Sequence, residues 1–284
     1  MIGRIIKCIS NDYSVLVADE IVICKPCGKF RYLNIKPVVG DLVVIDKEQK
    51  YITEIKKRKN YLVRPPVSNI DQAIIITSVK EPDFQTNLLD KLLTIIEFNN
   101  IEPIICFTKL DLLNSEEYIE INKYINYYRK IGYQVYLNTE LNKIQRLFKN
   151  KISIFTGQSG AGKSTLLNHL DETLNIKTAP ISLALNRGKH TTRHVELLNL
   201  FDGWVADTPG FSSVDFHEMT KSDIRDNFVE FEQYKDCMHV LEPNCEIKKQ
   251  VGKNILQSRY DNYLKFIEWG DFYGFISIFF IVKW

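Results

Sequence analysis

Hydrophobic and polar positions alternate in short runs over the first 65 or so residues: GRIIKCI, YSVLVA, IVICKPC, DLVVID and YITEIKK, divided by polar or Gly/Pro turns. Closely spaced runs of period two predict short strands that close into a small barrel. Arg64-Pro65-Pro66 reads as a stiff boundary, because each proline pushes the residue before it out of helical geometry. The pattern then changes. Ala73 to Thr77 is an unbroken apolar, largely β-branched run, as expected of a strand buried on both faces. Leu88, Leu89, Leu92, Leu93 and Ile96 follow at helical spacing, and Pro103 to Phe107 forms a second apolar strand. Asn114 and Glu117 have the spacing of a capping box, opening a helix with Tyr118, Ile121, Ile125 and Tyr128 on one face. An Ile152–Phe155 strand and a Ser164–Leu170 helix continue the alternation, which predicts a parallel α/β sheet with helices on both faces. From about Phe216 the chain becomes charged and helical in pattern.

Composition narrows the reading only slightly. Of 284 residues, 45% are hydrophobic and 25% charged, as in ordinary globular domains, and there is room for two or three of these. The formal charge of +2 requires no nucleic-acid partner, so any basic surface must be local. Six unevenly spaced cysteines fit reduced thiols in a cytoplasm rather than a secreted disulfide framework. The opening MIGRIIKCISNDY lacks the apolar run of a signal peptide. Phe275 to Val282 is far shorter than the roughly 20 residues of a membrane helix, and reads as a buried strand or a helix edge. A cytoplasmic protein with no membrane segment is expected.

The sharpest chemistry lies at Gly157-Gln158-Ser159-Gly160-Ala161-Gly162-Lys163-Ser164-Thr165. It matches GxxxxGK[ST], follows an apolar strand and opens a helix. Glycines let backbone N–H groups curl around phosphate oxygens, and the helix N-terminus favours the anion. Lys163 is suited to the β- and γ-phosphates and the Ser164 hydroxyl to Mg²⁺. Thr108-Lys109-Leu110-Asp111 ends the second apolar strand, where open α/β sheets bind ligands. A carboxylate there can accept guanine N1–H and the 2-amino group, neither of which adenine presents, so it discriminates. Asp207-Thr208-Pro209-Gly210 follows an apolar strand and suits a water-mediated Mg²⁺ contact from Asp207 and a γ-phosphate contact from the Gly210 N–H. Between the phosphate loop and Asp207, Arg187-Gly-Lys-His-Thr-Thr-Arg193 is a polar loop of the kind a nucleotide-sensing switch uses. Taken singly, the last three motifs also occur as plain turns or surface loops.

Together these residues resemble the G4, G1, G2 and G3 elements of translation-factor-type GTPases, in that order along the chain. The usual order begins with G1, so the resemblance is to a circularly permuted domain. A permuted G domain behind a small barrel is similar to the ribosome small-subunit-dependent GTPase A family. GKFR at 28–31, Asn60 to Pro65, Asn69-Ile70-Asp71-Gln72, GQSGAGKST, RGKHTTRHVEL at 187–197 and DTPGF carry the likeness over almost the whole chain. The resemblance implies a multidomain α/β protein: an OB-type β-barrel that binds RNA (1–66), a circularly permuted P-loop GTPase domain (67–214) and a small helical C-terminal domain with a zinc site (215–284). It also implies GTP hydrolysis stimulated by the small (30S) ribosomal subunit, contact with 16S rRNA late in that subunit's maturation, GTP/GDP, Mg²⁺ and Zn²⁺ as cofactors, and a monomer.

By the same resemblance Thr192 is the switch threonine on Mg²⁺, with Thr191 as the other choice, and His190 helps the attacking water unless it is a surface residue. Phe211 occupies the place where many GTPases carry a water-orienting glutamine, so hydrolysis is expected to be slow without a partner. The G5 loop falls near Asn138-Thr139. Cys237-x-His239-x5-Cys245 groups three zinc-type ligands, and the family's fourth, a cysteine, is replaced here by Glu232. Either Glu232 completes the site or the site is degenerate. Cys24-Lys-Pro-Cys27 has no second pair nearby and reads as structural. Lys56-Lys57-Arg58-Lys59, near Tyr61 and Arg64, is the basic run best suited to RNA on a barrel, and is otherwise a solvated face. Three other readings stay open: a P-loop ATPase or kinase, against which Asp111 speaks; a non-catalytic RNA-binding assembly factor, against which Lys163, Ser164 and Asp207 speak; and a permuted GTPase of another RNA-related pathway, against which the N-terminal barrel and the Cys237-x-His239-x5-Cys245 segment speak.

Overall fold

The computed structural model describes residues 1–63, 65–171, 195–207, 216 and 219–280. The five expected strands of the barrel form as β1 (Ile2–Ile9), β2 (Asp12–Val17), β3 (Glu20–Pro26), β4 (Leu42–Asp46) and β5 (Tyr51–Ile55). β1 pairs with both β2 and β4, and β3 pairs with β5, so the barrel closes. Alternation places Ile5, Val15, Val22, Val43, Ile45 and Ile52 inside. Gly3 lies so close to β2 that a Cβ there would meet Leu16 O at 2.6 Å, so the strand crossing requires glycine. A short helix, α1 (Gly28–Tyr32), enters between β3 and β4 and is anchored by buried Phe30. The alternation of the flanking strands gives no sign of it.

The proline pair does not simply end a domain. It lies in a hairpin of β6 (Tyr61–Val63) and β7 (Pro66–Ser68), with Pro66 as the first residue of its strand, where a missing N–H is tolerated. Arg64 lies outside the described residues. Side chains fasten this hairpin to its surroundings. Fully buried Asp41 accepts from Arg58 Nε at 2.7 Å, Ser68 Oγ at 2.6 Å and the Val38 N–H at 2.8 Å. Asn60 exchanges two bonds with the backbone of Ile70, and the Asp71 carboxylate accepts the Ile152 N–H at 2.8 Å.

The α/β part runs β8 (Gln72–Ser78), α2 (Thr86–Phe98), β9 (Glu102–Thr108), α3 (Ser115–Lys130), β10 (Gln134–Leu137), α4 (Leu141–Arg146), β11 (Ile152–Gly157), α5 (Lys163–Leu170), β12 (Glu196–Leu200) and β13 (Gly203–Asp207). Its spatial order is β10-β9-β8-β11-β13-β12, parallel except for the antiparallel β12. The capping box of α3 forms, with the Asn114 side chain accepting from Glu117 N and the Glu117 side chain from Asn114 N. Tyr118, expected on the inner face, is instead 43% exposed, and the buried positions are Ile125, Tyr127 and Tyr128. At the sheet's other edge β12 pairs with barrel strand β1 at Lys7↔Glu196, and the same two side chains form a 2.6 Å ion pair. Barrel and α/β sheet are thus one 11-stranded sheet.

The C-terminal region contains α6 (Lys221–Asp226), α7 (Glu246–Gln250) and α8 (Gln257–Phe280) around Phe216, Ile224, Phe228, Phe231, Tyr263 and Phe266. The apolar tail continues α8 in helical form as far as Phe280, so the strand alternative for it is set aside. No helix among the described residues is long and apolar enough to cross a membrane. The region docks on α2 through a buried polar cluster. Arg259 reaches Asp90 at 2.7 Å and Glu230 at 3.0 Å, and Asp90 also accepts from Tyr128 OH and Asn262 Nδ2, both at 2.6 Å.

Candidate nucleotide and metal sites

The phosphate motif forms the turn between β11 and α5, as its glycines require. At Gly157 φ is +127° and an added Cβ would lie 2.0 Å from Ile76 O, so the loop passes the neighbouring strand at a distance only glycine permits. Gly162, at φ +94°, is the N-cap of α5. Lys163 folds back to donate to Gly157 O at 3.0 Å. Burial lowers its pKa below the ordinary lysine value. A half-buried ammonium beside a helix N-terminus is an anion site by its chemistry, and polyphosphate fits it.

Thr108-Lys109-Leu110-Asp111 reaches the same place from β9. Thr108 Oγ1 donates to Ala161 O at 2.6 Å, joining this strand end directly to the phosphate loop. Lys109 adopts left-handed geometry (φ 62°) and donates from Nζ to Glu81 O, while Asp111 is exposed in the three-residue turn that follows. One strand further on, the Asn138 N–H donates to Phe107 O at 2.9 Å, and its side-chain oxygen is buried without a partner. The backbone of Asp207 ends β13, beside β11 in the sheet. Thr191, Thr192, His190, Gly210 and Phe211 lie outside the described residues. A cleft of about 1060 Å³ opens between residues 79–87 and α3, but none of its lining residues belongs to the phosphate loop.

Cys237, His239 and Cys245 come together with their ligand atoms all within 4.8 Å of one another. His239 Nδ1 lies 3.2 Å from Cys245 Sγ, and His239 Nε2 is buried with no hydrogen-bond partner. Burial lowers the His239 pKa, favouring the neutral ring that a metal needs. Two thiols and an imidazole at this separation suit Zn²⁺. Glu232 is exposed and is not gathered with these three. Glu242, which the sequence did not single out, shapes the loop by accepting the N–H groups of Met238 and Val240, both at 2.8 Å. A hydrogen bond from its own backbone N–H, together with those from Met238 and Val240, lowers its carboxyl to about 2.

Residues 55–217 match the family model of the RsgA GTPase, and residues 2–53 match that of the RsgA N-terminal domain. The chain belongs to the RsgA GTPase family. It is 47% identical over 281 residues to the small ribosomal subunit biogenesis GTPase RsgA 2 of Oceanobacillus iheyensis, covering 94% of this chain and 96% of that protein. It is 45% identical to small ribosomal subunit biogenesis GTPase RsgA of Latilactobacillus sakei, over 93% and 94% of the two chains. The crystal structure of YloQ, a circularly permuted GTPase, superposes with a TM-score of 0.79 at 37% identity, over 95% of this chain and 94% of that one. YjeQ from Thermotoga maritima gives 0.81 at 31%, over 95% and 98%.

The basic run Lys56–Lys59 is largely engaged within the protein. Lys56 pairs with Glu54 and Lys59 with Asp71, while Arg58 is held by Asp41 and lies 4.7 Å from the Tyr61 ring. Of the four cations, three are engaged within the protein. The Arg259 cluster was also missed. Its signal is an arginine in a helix segment whose neighbours Tyr260, Tyr263 and Phe266 all face the core.

Proposed function

We propose that this chain hydrolyses GTP in response to the small ribosomal subunit and acts in that subunit's late maturation, through rRNA contacts of the barrel. The observation that carries the reading is the 2.6 Å bond from Thr108 to Ala161, which ties the guanine-type motif to the phosphate loop despite their permuted order. The names of the relatives supply the ribosomal context.

In this reading the N–H groups of residues 158–163 and the Lys163 ammonium bind the β- and γ-phosphates, and Asp111 selects guanine. The free acceptor at Asn138 supports a base-facing loop there. Mg²⁺, when bound, would supply positive charge against the phosphate oxygens. Ser164 and Thr192 are its ligands and Asp207 holds it through water. Gly210 meets the γ-phosphate, and His190 orients the attacking water where Phe211 is unable to. Cys237, His239 and Cys245 hold one Zn²⁺ by three of its four positions. The three parts are the barrel (1–66), the GTPase domain (67–214) and the zinc-bearing helical domain (215–284), in a monomer.

The test is GTP turnover by the purified protein with and without small subunits, using ATP as the control. Slow turnover that rises at least tenfold with subunits is expected. Equal use of ATP overturns the assignment of Asp111, and turnover indifferent to subunits overturns the ribosomal role.

A further inference from the structure

Between Ile21 and Gly40 the chain carries four cationic side chains, Lys25, Lys29, Arg31 and Lys36, and no acidic one. Part of this stretch is α1 and the turn after it, where every residue from Arg31 to Lys36 is exposed. Tyr32 is 91% exposed, Leu33 54% and Ile35 45%. The barrel exposes other apolar side chains, Ile2, Ile9, Ile21 and Ile23 among them, but these three lie together in one turn with Arg31 and Lys36 on either side, as a contact surface does.

The surface is preformed. Buried Phe30 anchors it, the N–H groups of Leu33 and Ile35 donate to Lys29 O and Phe30 O, both at 2.9 Å, and Asn34 takes the left-handed conformation (φ 53°) that turns the chain. Little ordering is left to be done on binding, which favours affinity. Charge decides the partner's chemistry. An acid-free cationic turn attracts a polyanion, and an aromatic ring beside aliphatic side chains offers a stacking platform for a base. The run Lys56–Lys59, by contrast, is largely neutralised by Glu54, Asp41 and Asp71.

We infer that residues 29–36 are the barrel's RNA-reading element, with Tyr32 stacking on an unpaired base of the small-subunit rRNA and Lys29, Arg31 and Lys36 contacting the flanking phosphates. The inference rests on the ribosomal reading above and adds the residues and the chemistry of contact.

Full-length wild type, Tyr32→Ala and Tyr32→Trp are titrated onto small ribosomal subunits over a range of salt. The wild-type complex is also irradiated with ultraviolet light and its peptide–nucleotide adducts are mapped by mass spectrometry. Tyr32→Ala is expected to weaken subunit binding about tenfold or more, and Tyr32→Trp to retain it, because any large aromatic ring stacks. The salt slope stays unchanged in Tyr32→Ala and falls by about one in Lys29→Gln. Basal GTP turnover and melting temperature do not move, since the ring touches neither core nor phosphate loop. A nucleotide adduct on the Tyr32 peptide is the expected product. Tyr32→Ala binding within twofold of a wild type that does bind overturns this inference alone. So does cross-linking of that peptide to a ribosomal protein with no rRNA adduct. A wild type that binds no subunits overturns both this inference and the ribosomal reading.

Discussion

Asp111 is exposed in its turn, while the neighbouring Thr108 and Lys109 are tied to Ala161 O and Glu81 O. Its carboxylate is free to accept while its backbone is held, as a specificity residue requires. In Asp111→Asn an N–H donor would face the guanine 2-amino donor, whereas xanthine presents a carbonyl at that position. GTP affinity is expected to fall at least about a hundredfold and xanthosine triphosphate to bind in its place, as read by titration calorimetry. This site was legible because its parts are contiguous strings: TKLD and GQSGAGKST each specify a turn and a chemistry within nine residues. Asp41 and Arg58 were not legible. Their pairing depends on how the barrel closes, and a lysine-rich run looks the same in sequence whether or not acids face it.

At the scale of elements, α2 carries Glu97 near its C-terminal end. Burial, opposed by the Arg259 charge, raises its pKa from 4.5 to about 7. Between those values the folded protein holds a proton the unfolded chain has released, so stability declines as pH rises from 4.5 to 7. Glu97→Gln is expected to flatten this part of the profile and to add on the order of 1–3 kcal/mol at pH 8, measured by urea unfolding at pH 5 and pH 8. The loop before α7 gives a second expectation. Cys245→Ser removes a ligand and changes the cap that accepts from the Lys248 N–H, so zinc content by metal analysis should fall from about one per chain towards none, and the melting temperature should drop. The strands and long helices were readable because period and burial agree in them. Tyr118 was misplaced because a tyrosine at the solvent edge of an amphipathic helix fits the apolar spacing as well as a buried one. α1 is five residues long, too short to show a period.

Over the whole molecule, Arg259 joins parts of the chain 169 residues apart by its bond to Asp90. Arg259→Ala leaves Asp90 and Glu230 buried without their cation, at a cost of about 3–5 kcal/mol. Hydrogen exchange is expected to show α6–α8 losing protection while the barrel keeps it, and Arg259→Lys should rescue only part of the loss because one ammonium cannot match the planar fork. The contact also limits any rearrangement of the C-terminal region. A movement away from α2 must break that cluster, whereas the barrel meets β12 at the register pair Lys7↔Glu196 with its ion pair and meets the β6–β7 hairpin through Asp41.

That junction has a thermodynamic consequence. The β12–β13 hairpin is flanked in sequence by Arg187–Arg193 on one side and by Thr208–Gly210 on the other, and its outer strand is hydrogen-bonded to β1. The phosphate loop follows β11, which pairs with β13, so the barrel and the phosphate loop both adjoin this hairpin and coupling between them has a route through it. Linkage makes such coupling reciprocal: if GTP tightens the barrel's hold on its partner by some factor, the partner tightens the hold on GTP by the same factor. Exchange of GDP for GTP and arrival at the subunit then reinforce one another, and cleavage of the γ-phosphate withdraws both gains together.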